Sequence, residues 1–338
     1  MSKLRGLQSI EFTKCPAIIG HEAVVGKKEG EGPLKAYFDH VVQDELFGEK
    51  SFEYAERKFY KTAVELACKN AGLHTADIRY LLGGDLLNQI ISAGYAARDL
   101  QIPFLGLYGA CSTMAQSLLL GSVLIDGGYA DTAACAVSSH FASAERQYRF
   151  PLELGNQRTP TAQWTITGAG CTILSDEKEA NLCITGATVG RVTDYGITDA
   201  NNMGAAMAPA AANTILCHLQ DFGRTVQDYD LIVTGDLGSV GLQLLKEILT
   251  QAGINTDSRF QDCGCMIFDP ETQDVHAGGS GCGCSAVVLN GYLLKKLKEG
   301  AYKRILFCAT GAKLSTTSSQ QGESIPGIAH AVVIERVK

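Results

Sequence analysis

Proline is scarce in this chain, with 8 in 338 residues, and tryptophan occurs once. So little proline, beside 37 glycines, suits tight strand-to-helix turns rather than a disordered or linker-dominated chain. Runs of Lys or Arg are missing, and the net charge is −7. That balance works against a nucleic-acid footprint and against loose adsorption to an anionic membrane. Long hydrophobic runs are missing too. Stretches such as SLLLGSVLI at 117–125 fall far short of the roughly 20 residues a membrane span requires. The opening MSKLRGLQSIEF lacks the apolar core of a secretion signal, so the expectation is a chain made without a signal peptide. None of these deficits excludes a small anionic ligand, which needs only a local cluster of donors.

Cysteine, in contrast, is plentiful, with 12 residues. Without a secretion signal they read as reduced thiols. The pairs Cys263-Gly-Cys265 and Cys282-Gly-Cys284 have one intervening residue, whereas zinc pairs usually have two to four. They are taken as small apolar side chains, and no metal site is expected.

The apolar fraction of 46% is that of a packed α/β protein. Strands are predicted at 15–20, 78–84, 103–108, 131–139, 164–176 and 181–190, with a loop-rich stretch between Glu22 and Gly48. Ser51 has the chemistry to cap a helix running to Asn70. A second, apolar helix is predicted from Thr113 to Ile125, ended by Asp-Gly-Gly. The pattern then restarts. A helix at 203–221, a strand at 230–238, a helix at 240–252, a Gly-rich turn and helix at 279–300, and strands at 304–312 and 328–337 follow.

The restart is an internal repeat. DIRYLLGGDL (77–86) overlays YDLIVTGDL (229–237), which matches Asp85 with Asp236. GYADTAACAVSSH (128–140) overlays GAYKRILFCATGA (300–312), and TGAGCTILSD (167–176) overlays PGIAHAVVIE (326–335). The expected organisation is two α/β halves, 1–180 and 181–338, with sheets sandwiched by helices.

In the first half, GLYGACSTM (106–114) places Cys111 after a Gly-Ala corner, at the start of the predicted apolar helix. Unpaired N–H groups and the positive end of the helix dipole favour a thiolate there. A duplicated α/β chain with such a cysteine resembles the thiolase superfamily. The segments GACSTMAQSLLLGSVLIDGGYAD, RQYRFPLELGNQRTPTAQWT, HAGGSGCGCSAVVL and ATGAKLSTTSSQQGESIPGIAHAVVIE resemble one branch, the stage V sporulation protein AD family of endospore-forming bacteria. That resemblance implies a five-layered α-β-α-β-α fold. It also implies a non-catalytic role in sporulation: binding dipicolinic acid (pyridine-2,6-dicarboxylate), free or with calcium, for uptake into the developing spore. Membrane proteins of the same operon would be partners at the spore inner membrane, where the chain would be peripheral. No cofactor is implied, and calcium would arrive with the ligand. In the superfamily, dimers commonly pair through the strand after the nucleophile helix. Here that would be DTAACAVSS (131–139), which gives a weak expectation of a homodimer.

A condensing enzyme needs a base and oxyanion donors beside its thiol. Related enzymes use a His in a strand-end His-x-x-Asn and an Asn opening a Gly-rich turn. The strand end VTGDLGS (233–239) offers Gly235 or Asp236 where the His is expected. The turn HAGGSGCG (276–283) offers Gly279 or Ser280 where the Asn is expected. Cys308 lies inside its strand rather than at the exit, too early for a second catalytic cysteine. The catalytic set therefore reads as dismantled. A planar dianion asks instead for cationic forks, backbone N–H groups and an apolar or aromatic wall. Candidates are Cys111, His140, Arg146, Arg149, Arg158 and Lys313, with Tyr148 and Trp164 for the wall, Asp236, Gly279 and Ser280 completing the cleft. Two other readings remain open: an acyl-transfer enzyme using Cys111, and a scaffold that binds only proteins.

Overall fold

The structure is a computed structural model that describes residues 3–148, 157–177 and 180–337. The first half supplies strands β1 (Ala17–Gly26), β2 (Tyr80–Gly84), β3 (Phe104–Gly106), β4 (Thr132–Ser139) and β5 (Gly168–Ser175). Its main helices are α1 (Phe52–Asn70), α2 (Ile91–Leu100), α3 (Thr113–Gly127) and α4 (Phe141–Tyr148). The second half supplies β6 (Leu182–Thr188), β7 (Leu231–Thr234), β8 (Phe260–Asp262), β9 (Arg304–Ala312) and β10 (Gly327–Arg336). With them come α5 (Met203–Phe222), α6 (Gly238–Gln251) and α7 (Cys282–Val288).

Strand order is the same in both halves. The first sheet runs β1-β5-β4-β2-β3 and the second β6-β10-β9-β7-β8. In each, the first two pairings are antiparallel and the last two parallel. The sheets meet where β6 touches β1, at Cys183 opposite Ala17. Every block of the internal repeat thus occupies equivalent strands.

Helix chemistry decides the layering. Ser51 Oγ accepts from the Tyr54 N–H at 3.4 Å and opens α1. One face of α1, with Phe59, Ala63, Val64 and Ala67, is buried against the first sheet. α5 packs in the same way on β9 and β10. α3 carries apolar residues all round, as a helix enclosed on both sides must. It packs on β2 and β4 of one sheet and on β9 and β10 of the other, with α7 beside it. The result is five layers: α1 and α2, the first sheet, α3 and α7, the second sheet, α5 and α6.

The structure departs from the sequence expectation in places. β1 continues to Gly26, through residues expected to be loop. Its polar members His21 and Glu22 are buried but partnered, which polarity alone does not reveal. Burial lowers the His21 pKa to about 4, so the neutral ring donates from Nδ1 to Asn290 O at 2.7 Å. Glu22 accepts from Ala23 N at 2.9 Å and from Asn70 Nδ2 at 2.8 Å. The expected strand at 164–176 is divided, because Trp164 and Thr165 pair with Gly279 and Ser280 in a separate ribbon. β4 cannot mediate the expected dimer pairing. It lies inside the sheet, hydrogen-bonded to β2 on one side and β5 on the other.

Candidate functional site

Cys111 lies in a short turn, Ala110–Ser112, between β3 and α3. Ala110 adopts φ 51°, a left-handed conformation that costs a non-glycine residue about 1–3 kcal/mol and persists only where surroundings impose it. They do so here. Ser112 Oγ donates to Gly109 O at 2.7 Å, and Thr113 Oγ1 donates to Ala110 O at 2.6 Å. From β9, Gly311 presses on the same turn so closely that a Cβ would lie 2.8 Å from Gly109 O. Cys111 is thereby held at the wall of a cavity of about 470 Å³.

Asp236, from the turn after β7, lies beside Cys111 on the cavity wall, and its carboxylate accepts a hydrogen bond from the Cys111 thiol. Its carboxylate accepts from Thr310 Oγ1 at 2.8 Å, Gly281 N at 3.0 Å and Ser280 Oγ at 3.3 Å. Burial outweighs these donors and pushes its pKa up to about 7. The turn itself is anchored from behind. The fully buried Asp262 accepts from Thr234 Oγ1 at 2.7 Å, Leu237 N at 2.8 Å, Gly238 N at 2.9 Å and Cys265 N at 3.2 Å. Gln163 adds a bridge, donating from Nε2 to Asp236 O at 2.8 Å and Gly279 O at 2.7 Å.

Apolar and hydroxyl groups form most of the remaining wall. Met203 and Met207 come from α5, and Tyr108 and Tyr148 bring hydroxyls 3.1 Å apart. Lys313, following β9, stands exposed at the rim beside Leu314 to Thr317. Among the described residues it is the one cation lining the cavity, and Asp236 is the one carboxylate.

The structure brings Cys111, Asp236, Ser280 and Lys313 together and places other candidates elsewhere. His140 is buried away from the cavity, between Glu45 O, 2.9 Å from its Nε2, and the Ala142 N–H, which donates to its Nδ1 at 3.2 Å. Burial lowers its pKa, so it is a neutral packing residue against Phe52 and Phe59. Arg146 turns from the cavity side of α4 and pairs with Glu53 of α1. Arg158 pairs with Asp274 at 2.9 Å and lies 4.7 Å from the Trp164 ring, which itself stacks on Phe141. Both arginines therefore already have partners outside the cavity. Gly279 is buried in the ribbon with Trp164, and its carbonyl is taken by Gln163. Arg149 falls outside the described residues. Tyr108 and the α5 methionines were missed. Tyr108 stood in the GLYGACSTM corner three residues before Cys111, whereas nothing local marked α5.

The site's chemistry opposes a nucleophilic thiolate. Burial, and next the Asp236 carboxylate, push the Cys111 thiol well above its ordinary value of 9.0. Transfer of its proton to Asp236 runs uphill, because the carboxyl, with a pKa of about 7, is the stronger acid of the two. Among the described residues no histidine lines the cavity. Cys308 is fully buried in β9 and distant in role from the cavity wall. Among the described residues no group of three or more His, Cys, Asp or Glu is gathered to hold a metal ion. Nor is any helix of the described residues long and apolar enough to cross a membrane.

Comparison with known proteins agrees with this architecture. The human mitochondrial 3-ketoacyl-CoA thiolase superposes with a TM-score of 0.61 at 13% identity, covering 97% of this chain and 100% of that one. A 3-oxoacyl-[acyl-carrier-protein] synthase III from Aquifex aeolicus gives 0.58 at 14% identity, covering 95% and 99%. Xanthomonas OleA bound to cerulenin gives 0.62 at 16% identity, covering 96% and 97%. These likenesses establish a thiolase-like fold. The stage V sporulation protein AD of Bacillus subtilis is 48% identical over 334 residues, spanning 99% of this chain and 98% of that protein. The model of that family matches residues 6–335. With sheet order, paired halves and sequence in agreement, the chain belongs to the stage V sporulation protein AD family.

Proposed function

We propose that this chain binds dipicolinic acid, free or with calcium, in the cavity beside Cys111, and that it does not catalyse acyl transfer. It supports uptake of that ligand into the developing spore, acting peripherally at the spore inner membrane with membrane proteins of its operon. One observation carries the reading: a cavity of about 470 Å³ with one lysine at its rim, an apolar and phenolic wall, and a thiol held protonated. Small-molecule sites commonly span roughly 300–1,000 Å³ and combine apolar walls with few polar anchors. Lys313 supplies a point charge for one carboxylate, and the Tyr108 and Tyr148 rings supply an aromatic wall for the ligand's ring. Calcium, where present, arrives with the ligand.

Calorimetric titration of the chain and of Lys313→Gln with pyridine-2,6-dicarboxylate tests the reading. One saturable site per chain is expected. A hydrogen bond to a charged group is worth about 1.5–3 kcal/mol, so the variant should bind roughly 10- to 150-fold more weakly. Unchanged affinity in Lys313→Gln, or no binding at all, overturns it. An acyl group appearing on Cys111 after incubation with acyl thioesters would favour an enzyme instead. Spore defects arising only from surface changes would favour a scaffold.

A further inference from the structure

A dicarboxylate entering this cavity meets a charge problem. Among the described residues its wall holds one cation, Lys313, and one acid, Asp236. A dianion brings two negative charges, and Lys313 offsets one. Were Asp236 ionised as well, it would add a third negative charge to a cavity whose other described lining residues carry no charge. Like charges at such range, screened poorly by a largely apolar wall, strongly disfavour one another. We propose, resting on the dicarboxylate reading above, that the pocket takes up its ligand together with one proton from solvent, which is held on Asp236. The carboxylate becomes a carboxylic acid, its charge disappears, and it gains an O–H donor facing the cavity.

The surroundings of Asp236 are built for that change. Four donors favour the ionised form: the Cys111 thiol, Thr310 Oγ1, Gly281 N and Ser280 Oγ. Burial and the neighbouring Asp262 favour the protonated form. The two tendencies balance near neutrality, with the Asp236 pKa at about 7. A modest added negative charge therefore tips the group. Other titratable neighbours do not compete for the proton. Cys111 faces it from the turn before α3, Cys282 and Cys284 from α7, and Cys263 from the chain after β8. Burial raises all four thiols well above 9.0, so they stay neutral. Glu56 and Asp85 lie beyond Cys282, and burial raises both. Lys313 stands exposed at the exit of β9.

The test is calorimetric titration with pyridine-2,6-dicarboxylate in two buffers of different ionisation enthalpy, from about pH 6 to 9. Across this range the ligand is already fully ionised, so a proton taken up is taken up by the protein. Uptake should approach one proton per ligand above about pH 8, fall to about half near 7 and vanish near 6. The dissociation constant should rise about tenfold per pH unit above 7. Asp236→Asn, a neutral isostere, should bind with pH-independent affinity and no proton uptake. Saturable binding by the native chain with no uptake and a flat pH profile overturns the inference and leaves the ligand reading standing. Uptake persisting in Asp236→Asn also overturns it, because the proton then goes elsewhere. No binding at any pH removes the ligand reading and this inference with it. The native chain alone decides the matter, even where the variant fails to fold.

Discussion

Removing the Asp262 carboxylate should loosen the turn that presents Asp236. In Asp262→Ala three buried donors, Thr234 Oγ1, Leu237 N and Gly238 N, and the half-buried Cys265 N lose their acceptor. Thr234 Oγ1 can fall back on Gln261 O, 3.3 Å away, so three N–H groups remain orphaned. Each orphaned buried donor costs about 1–3 kcal/mol. Part of that is offset, because burial already penalises the Asp262 charge and raises its pKa. Entry of water into the space left behind offsets more. The net expectation is a loss of about 3–5 kcal/mol, among the larger effects of single substitutions. Urea unfolding of native chain and variant, compared at equal slope, reads this directly. A loss below about 1 kcal/mol would refute the reasoning, since it would mean the donors find other partners cheaply.

Other consequences are testable with single variants. Cys111 should resist iodoacetamide at neutral pH, and Asp236→Asn should speed its alkylation above pH 8, where the native carboxylate is ionised. A rapid neutral-pH reaction in the native chain would contradict the raised thiol. Burial raises Glu29 from 4.5 to about 7, so folding favours its protonated form. The stability it contributes is complete below 4.5 and is lost as pH rises through 7. Glu29→Gln, which keeps an acceptor for Thr167 N, should raise the melting temperature at pH 8 by more than at pH 5. Equal shifts at both would count against it. Gly311→Ala drives a Cβ toward Gly109 O at 2.8 Å and Ser112 N at 3.0 Å. It should cost about 1–3 kcal/mol and weaken ligand binding at the displaced turn, as paired unfolding and titration would show.

The architecture was legible because duplication is written in local apolar patterns. The 77–86 and 229–237 segments carry the same buried strand and the same acid, and the structure places them as β2 and β7 in matching sheet positions. Cys111 was legible from its Gly-Ala corner, and Asp236 and Ser280 from the strand end and turn that face it. Long-range partners were not. Arg146 and Arg158 stood as candidate carboxylate forks because Glu53 and Asp274, which pair with them, lie far away in the chain. His140 sits at a strand end, as a crevice residue should, yet its ring turns inward to Glu45 O and two phenylalanines. Polar residues inside β1 concealed the strand's second half, since only their partners Asn290 and Asn70 make them tolerable there. Asp262 carries no local motif at all, although it holds the turn on which the site depends.

The most direct test of the central claim is a crystal structure of the chain with pyridine-2,6-dicarboxylate. The account predicts one ligand in the cavity between Cys111 and Lys313, with a carboxylate on the Lys313 ammonium, a protonated Asp236 facing it and no bond to the Cys111 sulfur. Ligand bound elsewhere with this cavity empty, or a covalent adduct on Cys111, would contradict it.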